Sequence, residues 1–106
     1  GVPYSNDMHP FPLFDDRREV ESDIADQARL TGLYTDAAIR FLEDSRDRPF
    51  FLYFAHTFPH RPLFASRDFH GRSSGGIYGD TVEELDASVG RVMQALERLG
   101  LEDDTV

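Results

Sequence analysis

From about Glu21 to Asp44 apolar residues recur mostly at three- and four-residue steps: Ile24, Ala28, Leu30, Leu33, Tyr34, Ala37, Ala38, Phe41 and Leu42. That spacing lines one face of a helix and predicts an amphipathic α-helix. Gly32 weakens its middle by about 1 kcal/mol relative to alanine, which leaves open a start near Thr31 or a helix in two pieces. The polar turn Ser45-Arg46-Asp47-Arg48 then ends at Pro49, and Phe50-Phe51-Leu52-Tyr53-Phe54-Ala55 comes next as a nearly unbroken apolar run. Such a run suits a strand covered on both faces, as in a parallel sheet. A second stripe, Val82, Leu85, Val89, Val92, Met93, Leu96 and Leu99, predicts another helix. Asp80 is placed to cap its start with Glu83 as capping-box partner, and Gly100 to stop it in the left-handed conformation.

Between these elements the pattern fades. Residues 1–18 carry Pro3, Pro10 and Pro12 and read as an extended loop, because each proline fixes φ and pushes its predecessor out of the helical region. His56 to Gly79 is rich in Pro, Gly and Ser and long for a plain connection, which favours a functional loop. The order is loop, helix, strand, loop, helix, then a turn toward a further strand: an α/β alternation. A lone strand leaves its backbone groups unpaired, so the sheet is expected to be incomplete within these residues. Strand pairing or helix exchange between copies would satisfy those groups, so self-association is expected of the isolated chain.

Composition narrows the function classes. Of 106 residues 40% are hydrophobic and 29% charged, within the range of globular domains. The net charge is −9 and all eleven basic residues are arginine, without the clustering that tracks a phosphate backbone; nucleic acid is not an expected partner. There is no cysteine, hence no disulfide or thiolate metal site. No window approaches the roughly eighteen apolar residues of a membrane span.

Ligands of open α/β sheets bind beyond the carboxyl ends of the strands, and that end here delivers His56-Thr57-Phe58-Pro59-His60-Arg61-Pro62. By spacing alone both histidines read equally well as loop residues that satisfy carbonyls or face water. Pro59 argues against the helix that would set His56 and His60 side by side as zinc ligands, and no nearby acid pair completes a metal site. The acidic pairs Asp15-Asp16 and Glu83-Glu84 read as solvated surface, with Asp86 nearer the apolar stripe as a candidate buried partner. Gly71 to Gly79 lacks the Gly-Lys-Ser/Thr ending of a phosphate loop and reads as a flexible turn.

Three blocks in order, Gly1-Val2-Pro3-Tyr4-Ser5-Asn6-Asp7-Met8, Pro49 through His60, and Tyr78-Gly79-Asp80 through Asp86-Ala87-Ser88-Val89-Gly90, resemble successive blocks of the arylsulfatase-type sulfatases. The resemblance covers nearly the whole chain. It implies an internal segment, residues 1–106, of an alkaline-phosphatase-like catalytic domain that hydrolyses sulfate esters. It further implies a formylglycine nucleophile, made from Cys or Ser in a Cys/Ser-x-Pro-x-Arg motif, and a divalent cation, commonly calcium (Ca2+).

By the resemblance, His60 matches the histidine that contacts the sulfate ester and assists departure of the leaving oxygen. Ser5 matches a serine that hydrogen-bonds in the same pocket. An imidazole can donate a proton near neutral pH and a hydroxyl can turn toward a sulfuryl oxygen. The formylglycine motif, the cation ligands and the family's lysines do not occur in this stretch, so the chain alone is expected to be inactive. A related phosphate or phosphonate ester hydrolase, or a non-catalytic self-associating remnant, is the alternative. Localisation stays open, periplasmic or secreted being the family's usual setting.

Overall fold

The computed structural model describes residues 10–106. Two short strands, β1 (Leu13–Asp15) and β2 (Arg18–Glu21), pair antiparallel with Phe14 opposite Glu19 and Asp15 opposite Arg18. This hairpin lies where an extended loop and the start of a helix are expected from the sequence. Its turn needs a residue with positive φ, and Asp16 takes that position at φ 54°, a region that Asp tolerates better than most residues. The hairpin is tied to the segment leading into the first helix: Ile24 N–H donates to Phe11 O at 2.8 Å, and Phe11 N–H to Asp23 Oδ1 at 2.9 Å.

A 3-10 turn at Gln27–Arg29 leads into α1 (Leu30–Ser45). The helix therefore starts near Thr31, one of the two possibilities the sequence leaves open. Asp26 caps the turn by accepting from Ala28 N–H at 3.1 Å, so the cap sits four residues before the helix proper. The second helix, α2, runs Gly76–Leu99, a full turn earlier than a cap at Asp80 would allow. At its end Gly100 takes φ 69°, Gly100 N–H donates to Glu97 O at 3.0 Å and Leu101 N–H to Leu96 O at 2.9 Å. That pair of bonds is a Schellman motif, the stop expected of this glycine.

α1 and α2 run parallel. Contacts step forward along both: Thr35 meets Ser88, Asp36 meets Arg91 at 2.7 Å, and Glu43 meets Arg98 at 2.9 Å. The two ion pairs are half-exposed and contribute about 0.2–1 kcal/mol each. The apolar run 50–57 returns beneath both helices, with Phe50 and Leu52 against Leu42, Ala95 and Leu96, and His56 against Ser88. It completes a helix–extended segment–helix unit of α/β kind.

The run alternates with period two: Phe50, Leu52, Phe54 and His56 turn inward, while Phe51 and Tyr53 are 86% and 82% exposed. This is strand geometry. Among the described residues, however, it makes no backbone ladder, and its outer face is bare rather than covered. The only sheet among the described residues is the hairpin.

Two apolar clusters lie along the helices. Ile24, Leu30 and Phe58 gather Leu13, Leu33, Tyr34 and Phe64; Leu42, Ala95 and Leu96 gather Ile39, Phe50, Leu52, Val92, Leu99 and Leu101. Apart from Ala38, the other buried helix positions are polar: Thr31, Thr35 and Ser45 on α1, and Asp80, Thr81, Glu84 and Ser88 on α2. Consequently Val82, Val89 and Met93, part of the apolar stripe expected to face the core, stand exposed. No described helix is long and apolar enough to cross a membrane.

Candidate functional site

His56 and His60 leave the end of the extended segment in different directions. His56 turns toward α2, where its Nε2 lies 3.2 Å from Ser88 Oγ. Donor accounting fixes its tautomer. Thr35 Oγ1 donates its proton to Thr31 O at 2.6 Å, a carbonyl being able only to accept, so in the 2.6 Å contact with Ser88 the serine must donate. Ser88 Oγ is then an acceptor, and the His56 Nε2 carries the proton. Nδ1 of His56 holds a lone pair that is buried without a partner among the described residues. Burial lowers the His56 pKa from its ordinary 6.5, which keeps the ring neutral at pH 7.

His60 is exposed on the loop beyond. Its Nδ1 lies 2.7 Å from the carbonyl oxygen of Arg61, which can only accept, so Nδ1 bears a proton. The base of this excursion is closed by Phe58, which is buried, and by Phe64, with ring centroids 6.1 Å apart. Thr57 Oγ1 reaches Tyr34 Oη at 3.3 Å. The sequence-based expectation for Ser5 falls outside the described residues, so only His60 of the two candidate site residues has a described position.

Beyond His60 the chain folds back through consecutive turns at residues 66–75 onto α2. Asp80 is 2% exposed, and its carboxylate accepts from three backbone N–H groups: Gly71 at 2.7 Å, Ser73 at 2.8 Å and Arg72 at 3.1 Å. The N–H groups of Ser73 and Gly71 hold its pKa below the ordinary carboxylate range, against the opposing effect of burial, with Arg72 N–H and the charge of His70 adding to the depression. One turn later Glu84, 6% exposed, accepts from Ser66 N–H at 2.8 Å.

These acids correct the sequence reading. Asp80 does not begin the helix but anchors the loop before it; Glu84 is buried rather than solvated, and Asp86 is exposed rather than buried. The stretch Gly71–Gly79 is fastened rather than a free turn. Thr35, Ser88, Asp80 and Glu84 all escape a reading based on apolar stripes. A signal existed in the i, i+4, i+8 spacing of Asp80, Glu84 and Ser88, which puts three polar residues on one helical face.

Among the described residues no three His, Cys, Asp or Glu side chains converge to hold a metal ion. The calcium implied by the resemblance therefore does not fit residues 10–106.

Residues 3–106 match the sulfatase family model. The chain is 46% identical over 81 residues to N-acetylgalactosamine-6-sulfatase of Mus musculus, an alignment that covers 74% of this chain and 16% of that protein. It is 41% identical over 80 residues to the Homo sapiens protein of the same name, covering 74% of this chain and 15% of that protein. To the steryl-sulfatase of Homo sapiens it is 42% identical over 77 residues, covering 73% of this chain and 13% of that protein. The chain thus spans only 13–16% of the length of these curated relatives.

Proposed function

The chain belongs to the sulfatase family, and on that premise we propose that residues 1–106 are an internal segment of a sulfuric-ester hydrolase in which His60 contacts the sulfate ester. The single observation that carries this reading is the place of His60: an exposed imidazole at the carboxyl end of an extended segment, its Nδ1 proton committed to the Arg61 carbonyl. In the cationic ring Nε2 also carries a proton. It passes this proton to the leaving oxygen as the sulfur–oxygen bond breaks, and the neutral ring remains. Ser5 binds in the same pocket. The formylglycine nucleophile and calcium are supplied by parts of the protein outside this chain, within an alkaline-phosphatase-like sheet to which residues 50–57 contribute one strand. In the whole protein His60→Ala should lower kcat/KM for an aryl sulfate by about 10²-fold or more, the usual range for a general acid. An unchanged rate would leave His60 as a loop residue that satisfies a carbonyl.

A second reading concerns the chain by itself. Phe51 and Tyr53 on the unladdered segment, and Tyr78, Val82, Val89 and Met93 on α2, are exposed, so the isolated chain self-associates, copy against copy, through the bare face of residues 50–57. Extended backbone that makes no ladder among the described residues, with an apolar outer row, is a template for strand addition.

A further inference from the structure

Resting on that reading of His60, we propose that Glu84 is a positioning residue: it fixes the loop that presents His60, acting from α2 through the backbone of Ser66. The excursion that carries His60 leaves the core at Phe58 and re-enters it at Ala65, both buried. At its return the chain bends sharply, since Ser66 O accepts from Phe69 N–H at 3.0 Å and from His70 N–H at 2.9 Å. The Ser66 N–H needs an acceptor of its own, and Glu84 Oε2 supplies it at 2.8 Å.

Asp80, four residues earlier on α2, holds the next stretch through Gly71, Arg72 and Ser73. Two carboxylates on one helix face thus take four backbone donors from residues 66–73. Gly79 lets this happen at close range, because a Cβ there would collide with the side chain of Ser73. An apolar residue at position 84 would cover the loop equally well but strand the Ser66 donor. A buried carboxylate is costly unless hydrogen-bonded, so Glu84 serves the placement of this backbone. Moving the anchor by about 1 Å would displace His60 enough to cost about 10²-fold in rate.

The test is a double-mutant cycle in the whole protein, read as kcat/KM on an aryl sulfate. Glu84→Ala should lower activity by about 10-fold or more, whereas in a His60→Ala background the same change should cost less than about threefold, because the group it positions is gone. Glu84→Gln, whose amide oxygen still accepts from Ser66, should keep activity near that of the unaltered protein. Proportional losses in both backgrounds, or no rescue by glutamine, would overturn the proposal.

Should Glu84→Ala fail to fold, Glu84→Asp, whose acceptor falls about 1.5 Å short, replaces it in the cycle. Failure of both to fold assigns Glu84 to stability alone and overturns a positioning role. Full activity in His60→Ala sinks the reading of His60 and the proposal with it. A large His60→Ala loss with proportional Glu84→Ala effects sinks only the positioning.

Discussion

Replacing Ser88 by alanine removes the hydroxyl at which α1, α2 and the extended segment meet. Thr35 keeps its bond to Thr31 O, so α1 loses one neighbour but strands no proton. His56 loses the acceptor of its Nε2 proton. A stranded buried donor costs about 1–3 kcal/mol; the ring is only half-buried, which places Ser88→Ala at about 1–2 kcal/mol. His56→Leu in the same chain removes the stranded donor together with the Nδ1 lone pair that already lacks a partner among the described residues. The double variant should therefore recover at least half of that loss, because deleting both partners of a buried hydrogen bond costs less than deleting one. Urea denaturation of the whole protein, compared at a common slope, gives the cycle, and nitrogen-15 NMR of the His56 ring gives the tautomer. Additive losses, a Ser88→Ala effect within about 0.5 kcal/mol of zero, or an Nδ1 proton on His56 would refute the donor accounting.

Acid should release the loop from Asp80. Because the folded-state pKa is depressed, its stabilisation is present above the ordinary value of 3.8 and is lost as pH falls through the folded value; the protection of the Gly71 and Ser73 amides against hydrogen exchange, relative to their intrinsic rates, should fall below about pH 4, and a fall unchanged in Asp80→Asn would contradict this. The purified chain should not turn over a chromogenic aryl sulfate with or without calcium, and activity that co-elutes with it would show that residues 1–106 suffice. Light scattering should find the isolated chain larger than its 12.1 kDa monomer, with Phe51→Lys and Tyr53→Lys shifting it toward monomer; a compact monomer with protected amides at 50–55 would reveal a strand partner within the chain.

Sequence by itself determined much of what depends on local geometry or apolar period, the hairpin of Leu13–Asp15 and Arg18–Glu21 excepted. The Gly100 stop, the body of α1, the extended apolar run at 50–55 and the family blocks all arise from residues close in the chain, and the incomplete sheet comes from counting strands; that the run buries only one face was not legible in it. Only the tertiary structure decided which face of each helix is buried. Apolar stripes identify a buried face when burial is driven by transfer from water, but at Thr35, Asp80, Glu84 and Ser88 burial is secured by hydrogen bonds. Their partners lie on the other helix, on the loop before α2, or one helical turn away. A polar residue satisfied by a backbone N–H seven to eighteen positions away, as Asp80 and Glu84 are, looks in sequence like one satisfied by water. The start of α2 was displaced for the same reason, since Asp80 carries the side chain of a cap yet spends its carboxylate on Gly71, Arg72 and Ser73. Only the path of the folded loop brings those donors to it.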